Sequence, residues 1–323
     1  MPLAVPLLLL FALLPIGPPS DHVVELLVGG CLVVLLFEGG LGIGPQRARE
    51  VLAPALSLGL VGTLATGAAL TPLVHLVLDT GWWEAALVAA ALAPTDPAVV
   101  FSVLRGQPVG RARTVLEAES GANDPVGISV VAALLAAGSV SAQDLGVAAG
   151  DVAVQLVVGV AVGVVGSRVL RLLPPWPALL ATAGVFGLAH VLHGSGYLAV
   201  FVAGVLLGDR LPSYRRVPFL AEVAAFAVLG LTVDLSWDSL LPGLALAGGL
   251  VAVRLVVGWP LALGLTPRER LFVLACGLKG AVPLLLGSML PGQRLYGVVV
   301  VAVVASVLVQ GALLPRIARA LAV

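Results

Sequence analysis

Charge is what this 323-residue chain has least of. Only 11% of its residues are Asp, Glu, Lys or Arg and 60% are apolar, whereas soluble proteins carry about 25% charged residues. So little charge cannot solvate a surface, and a mean hydropathy of +1.13 excludes a soluble globular domain. The 17 basic and 17 acidic residues cancel, which excludes a nucleic-acid partner, because such a partner needs a basic footprint. Only two cysteines occur, Cys31 and Cys276, both inside apolar segments; they read as small buried hydrophobes, not as a disulfide or metal pair. The histidines at 22, 75, 190 and 193 lack metal-ligand spacing and fall near the ends of apolar runs, where they read as interfacial. No Gly-rich phosphate loop ending in Lys-Ser/Thr is present, so ATP is not the energy source. No Gly-X-Gly-Asp run is present either, which argues against an intramembrane aspartyl protease. Residues 2–16 lack the basic start and small-residue cleavage site of a signal peptide.

What the chain does have is long apolar runs, punctuated by charge, by 23 prolines and by 39 glycines. A membrane-spanning helix needs about 20 apolar residues, so twelve would use about 240 and leave about 80 for loops. Twelve runs can be read: 2–16, 22–43, 51–78, 82–104, 115–138, 145–167, 176–192, 195–208, 218–233, 242–265, 271–289 and 295–314. The basic residues test the count independently. Arg47, Arg49, Arg105, Arg111, Arg113, Arg168, Arg171, Arg210, Arg215, Arg216, Arg268, Arg270, Arg316 and Arg319 all fall in alternate loops. The opposite loops hold Arg294 alone, beside Asp21, Asp79, Asp144, Asp234 and Asp238. This alternation predicts an all-α, multi-pass protein of the cell (inner) membrane, with both termini in the cytoplasm and lipid around it.

A charge inside a span costs at least about 2.5–3.5 kcal/mol, so each one needs a reason. The run 82–104 contains Ala93-Pro94-Thr95-Asp96-Pro97. Its two prolines remove backbone donors, which predicts an opened helix with loose carbonyls beside Asp96 and Thr95. The run 271–289 contains Gly277-Leu278-Lys279-Gly280-Ala281-Val282-Pro283, a second break, in which Gly277 and Gly280 flank a charge and Pro283 follows it. These two runs lie seven apart and so cross the membrane in opposite senses. Broken helices at matching places of oppositely directed halves point to an inverted repeat whose site lies where they cross. Lys279 would neutralise a carboxylate there or offset half-helix dipoles. The run 115–138 carries Ser120 and Asp124 one turn apart, with Glu119 and Asn123 on the adjoining stripe. Glu117 lies near the helix end. Glu38, near the end of 22–43, either lines an access path or is solvated there, and Arg254 reads as a structural ion-pair partner. Asp96 and Asp124, from adjacent antiparallel segments, can meet at one depth. Two carboxylates in low dielectric call for a proton or a hard cation held by oxygen ligands, and exchange of one for the other is the minimal antiporter.

The runs Pro94-Thr95-Asp96-Pro97, Glu119-Ser120-Gly121-Ala122-Asn123-Asp124-Pro125, Phe226-Ala227-Val228-Leu229-Gly230-Leu231 and Gly277–Pro283 resemble those of the cation/proton antiporter family, in its NhaP-like branch. The resemblance implies a fold like that of NhaA, with Asp124 as the principal carboxylate exchanging Na⁺ or K⁺ for H⁺. It also implies that Asp96, Thr95, Ser120 and Asn123 ligate or support the ion, and that Glu38 approaches from a dimerisation domain. Glu119 would pair with Lys279, in a position where the family usually has arginine. Asn123 resembles the electroneutral branch. The family's homodimers move a core bundle, here 51–138 and 242–314, against a scaffold, here 1–50 and 176–240, with 145–171 as connector. No resident cofactor is implied, since the cations are cargo. The family often has thirteen spans, and the first is the one expected to be missing here. The rival is a sodium-coupled symporter of a small organic anion on a similar scaffold, which would want a cationic pocket.

Overall fold

The computed structural model describes residues 4–13, 17–104, 110–211, 214, 217–233 and 236–321. Arg105, Arg215, Arg216 and Asp234, which enter the charge alternation, lie outside the described residues. Every regular element among the described residues is helical: α1 Ala4–Ala12, α2 Asp21–Glu50, α3 Leu52–Leu56, α4 Thr63–Leu78, α5 Trp82–Leu92, α6 Pro97–Val103, α7 Gly110–Ala137 and α8 Ala142–Leu170, then α9 Pro175–Val191, α10 Gly196–Leu207, α11 Val217–Gly230, α12 Trp237–Leu261, α13 Pro267–Ala275, α14 Ala281–Ser288 and α15 Gln293–Leu321. A π-helical stretch, Ser57–Gly62, joins α3 to α4. Each of the twelve apolar runs carries helix. Among the described residues six helices are long and apolar enough to cross a membrane, and four shorter apolar ones accompany them.

Boundaries move where proline and glycine were read too simply. Helix α2 continues past residue 43 to Glu50 through a kink at Gly44, whose φ of 69° admits the turn, with Pro45 behind it. Pro fits the first helical position, where its missing N–H is unneeded. Helix α12 begins five residues before 242, at Trp237 with Asp238 in its first turn, and runs on through Pro242. At the start of α13, Thr266 and Glu269 form a reciprocal capping box. The runs 176–192 and 195–208 are separate helices, α9 and α10, with Ser195 capping the second through Leu198 N–H.

Two helix groups pack face to face. One gathers α3–α7 and α12–α15, and the other α1, α2 and α9–α11. Helix α8 lies on α10 and α9 as well as on α7. Without water, nothing drives helices together except close fit, so small residues let backbones touch. Gly40 of α2 and Gly204 of α10 face each other at such a contact. A Cβ at Gly40 would stand 2.5 Å from Phe201 O and 2.7 Å from Val205 N. Both obstacles are backbone and cannot turn away.

Gly40→Ala should therefore lower the melting temperature in detergent by several degrees, since overpacking costs about 1–3 kcal/mol. Gly39→Ala, whose Cβ meets nothing within 4 Å, should leave it unchanged or raise it. Equal melting temperatures for the two variants would contradict this packing.

Candidate functional site

The two predicted breaks exist, and they bind each other. Helix α5 ends at Leu92, residues 94–96 belong to no helix, and α6 restarts at Pro97. Helix α13 ends at Ala275 and α14 restarts at Ala281. Between them, Asp96 N–H donates to Leu278 O at 2.8 Å. Gly280 is needed at this crossing, because a Cβ there would fall on the Asp96 carboxylate. That carboxylate thus stands at the amino end of α14, where the helix dipole favours negative charge.

Lys279, the only lysine of the chain, is 2% exposed. Its Nζ donates to Ala93 O at 3.1 Å and to Pro94 O at 2.9 Å, the freed carbonyls at the end of α5. This corrects the expected Glu119–Lys279 pair. Glu119 Oε1 accepts instead from Arg254 Nη2, at 2.7 Å. Arg254 reaches on to Leu274 O and Val273 O at the end of α13. A side chain at Gly277 would collide with Arg254, so that glycine opens the guanidinium's path. A fork spans a carboxylate and two carbonyls, while a compact ammonium suits two converging carbonyls.

On α7 the polar side is buried. Ser120 Oγ donates to Asp124 Oδ2 at 3.3 Å. Asn123 Nδ2 donates to Thr95 Oγ1 at 2.8 Å, tying α7 to the break. Asn123 Oδ1 has no hydrogen-bond partner among the described residues. A cavity of about 150 Å³ opens at this place, and Asp96, Asp124, Glu117, Glu222, Ser120 and Phe201 are among the residues that line it, beside an otherwise apolar wall. Asp96 and Asp124 therefore do share one hollow. Glu117 is paired with Arg113 at 2.9 Å.

Two residues depart from the sequence reading. Glu38 is buried, neither solvated nor lining this cavity; its Oε1 accepts Tyr214 N–H at 2.7 Å. Glu222 of α11 was missed. It is the one acid in the fourteen apolar-rich residues of Val217–Gly230, so the rule that made Asp124 conspicuous would also have found it.

A model of the family described as "Sodium/hydrogen exchanger, transmembrane" matches residues 3–320. The K(+)/H(+) antiporter NhaP of Alkalimonas amylolytica is 32% identical over 92% of this chain and 57% of its own length. The K(+)/H(+) antiporter NhaP2 of Shewanella oneidensis is 31% identical over 98% of this chain and 63% of its own. The Na(+)/H(+) antiporter NhaH of Halobacillus dabanensis is 27% identical over 80% and 73%. The chain thus spans about three-fifths of the length of the first two relatives. The structure of the sodium proton antiporter MjNhaP1 from Methanocaldococcus jannaschii at pH 8 superposes with a TM-score of 0.80, at 22% identity, over 95% of this chain and 92% of that one. The fold is therefore shared with that protein.

Removing one partner of a buried ion pair costs about 3–5 kcal/mol, because the other charge is left alone in low dielectric. Arg254→Met should accordingly lower the melting temperature sharply, and adding Glu119→Gln should recover part of the loss. Strictly additive losses would mean that the two side chains do not interact.

Proposed function

The chain belongs to the sodium/hydrogen exchanger family, and from that premise we propose that it exchanges a monovalent cation, Na⁺ or K⁺, for H⁺ across a membrane by alternating access. The observation that carries this reading is the single cavity holding Asp96, Asp124 and Ser120 at the crossing of two broken helices. Asp124 is the principal carboxylate, with Ser120 donating to it. Asp96 is the second, and Thr95 and Asn123 hold the break against α7. Oxygen ligands of this kind suit a hard cation. With the cation bound, the two carboxylates and the Lys279 ammonium sum to zero; with a proton bound instead, they also sum to zero. Both loaded forms then carry the same charge, which gives one-for-one, electroneutral exchange. Four carboxylates around the cavity leave no cationic pocket for an organic anion, which disfavours the symporter.

Glu38 serves the chain segment before α11 in this reading, through Tyr214, and not the ion. We assign 51–138 and 242–314 to the moving core, 1–50 and 176–240 to a scaffold through which two copies pair, and 145–171 to the connector. The packing of the two helix groups is in keeping with that division. We assign both termini to the cytoplasmic side of the cell membrane; the arginine-rich alternate loops support this through the positive-inside rule.

In proteoliposomes with an internal pH dye, a Na⁺ or K⁺ pulse should move protons through the native protein and not through Asp124→Asn; exchange at the native rate in that variant would overturn the assignment. Asp96→Asn should raise the half-saturating cation concentration about tenfold, the worth of one charged ligand. Because H⁺ and the cation compete, acidification should raise that concentration by up to about tenfold per pH unit, and a cation affinity indifferent to pH would exclude a shared site. An imposed membrane potential should leave the rate unchanged at fixed ion gradients.

A further inference from the structure

A second cavity, of about 650 Å³, is bordered by α2, α7, α10 and α14, helices that also border the first. Four helices pass from one cavity to the other in a mutually consistent order. On α7 the first cavity takes Ser120 and Asp124 and the second takes Ser129 and Ala136. On α14 Val282 lines the first, and Leu285 and Leu286 the second. On α2 and α10 the order reverses: Gly39 and Phe201 border the first cavity, Glu25 and Tyr197 the second. Helices that run antiparallel across a bilayer would give this pattern if the two cavities opened toward opposite faces. Asp124 and Ile128, on either side of the division, are one helical turn apart, so the partition along α7 is about 6 Å thick.

The second cavity is built for a polar occupant. Ser129 is 1% exposed, its Oγ has no hydrogen-bond partner among the described residues, and it lines this space. The outer rim carries Glu25, Asp151, Gln155 and His190, with both acids exposed. Such a rim raises the local concentration of cations. Tyr197 stands at the inner end. Its hydroxyl lies against α2, at 3.0 Å from where a Gly29 Cβ would be. Its ring meets Phe186 edge-on at 4.9 Å, and it packs against three of the hydrophobic clusters at once. One turn further along α10, Phe201 sits on Gly121 of α7 and borders the first cavity.

We propose that the second cavity is the other half of the cation path, that Ser129 is its innermost polar station, and that Tyr197 is the wedge that shuts it in this conformation. The inference rests on the antiport reading, which supplies the ion. A cation entering past Asp151 and Glu25 reaches Ser129 and stops at the phenol; withdrawal of Tyr197 from Gly29 would join that space to Asp124.

The test is cysteine accessibility in the full-length chain, using a charged, membrane-impermeant methanethiosulfonate on right-side-out and inside-out vesicles. The background is Cys31→Ala with Cys276→Ala, or Cys31→Ala alone if buried Cys276 proves unreactive. Ala136→Cys should react from one face only and Leu35→Cys from the other. Ser129→Cys should react slowly, from the Ala136 face. Adding Tyr197→Ala should speed it about tenfold, the worth of one aromatic contact, while Tyr197→Phe should not. Should the Ser129→Cys, Tyr197→Ala double variant fail to fold, Ile128→Cys reports on the same partition. Modification of Ser129→Cys from the Leu35 face, or a rate indifferent to Tyr197→Ala, overturns the proposal. No ion gradient is involved, so a failed labelling pattern leaves the exchange reading standing, and absent exchange leaves the labelling result intact.

Discussion

Four helix ends buried at one depth set the terms for everything else in this structure. A broken helix leaves carbonyls at one lip of the gap and N–H groups at the other, and hydrocarbon offers neither any water. Here the two gaps satisfy each other. Asp96 N–H bonds Leu278 O, Lys279 closes the carbonyl end of α5, and Arg254 closes the carbonyl end of α13. Each carbonyl end therefore has its own cation, and an acid, Asp96, stands at the amino end of α14. Both intramembrane cations are occupied by backbone or by Glu119, so the fixed positive charge holds the crossing open. Asp124 keeps its place facing the cavity.

That division of labour accounts for a lysine, not an arginine, at position 279. An arginine at 279 would fork between the break and Glu119. With Arg254 already on Glu119, the position needs only a compact charge for two converging carbonyls. Gly277 and Gly280 complete the exchange, one leaving room for Arg254 and the other for Asp96.

How much of this could be read in advance follows from which interactions are local. The breaks were legible, because Pro94, Pro97, Gly280 and Pro283 act on their own backbone. The convergence of Asp96, Ser120 and Asp124 was legible from helical period and from antiparallel neighbours. The partner of Glu119 was not. Both Arg254 and Lys279 are in reach of the site, and the choice between them rests on a path through Gly277 that exists only once α12 and α13 are packed. Glu38 failed similarly: its burial depends on Tyr214, far along the chain, coming back to meet it. Glu222 was legible and was passed over, since it satisfies the same criterion of a lone acid in an apolar run. The kink at Gly44 and the early start of α12 show the reverse error, in which a proline marking a helix start or a tolerated bend was read as an end.

The placement of polar bonds also says which parts can move. Around the cavity the directional contacts are internal to one helix group: Asn123 to Thr95, Asp96 to Leu278, Arg254 to Glu119 and Lys279 to Ala93 and Pro94. They lock α5, α6, α7 and the α13–α14 break into a unit that cannot flex locally without orphaning a buried group. Across the seam the facing wall is apolar at Leu32, Leu35, Leu36 and Phe201, with Glu222 of α11 its one acid, and the apolar residues can slide without losing any such bond. Among the described residues three polar ties cross between the groups: Arg111 to Glu50 O at 3.2 Å, Tyr296 to Leu229 O at 3.2 Å, and the Tyr296 hydroxyl with that of Thr232 at 3.0 Å. Each can be replaced by water or by a neighbouring carbonyl at modest cost, unlike the bonds at the crossing. In the exchange reading, motion is thereby steered away from Asp96 and Asp124 and into the seam, where Tyr197 and Phe201 sit a turn apart on one helix.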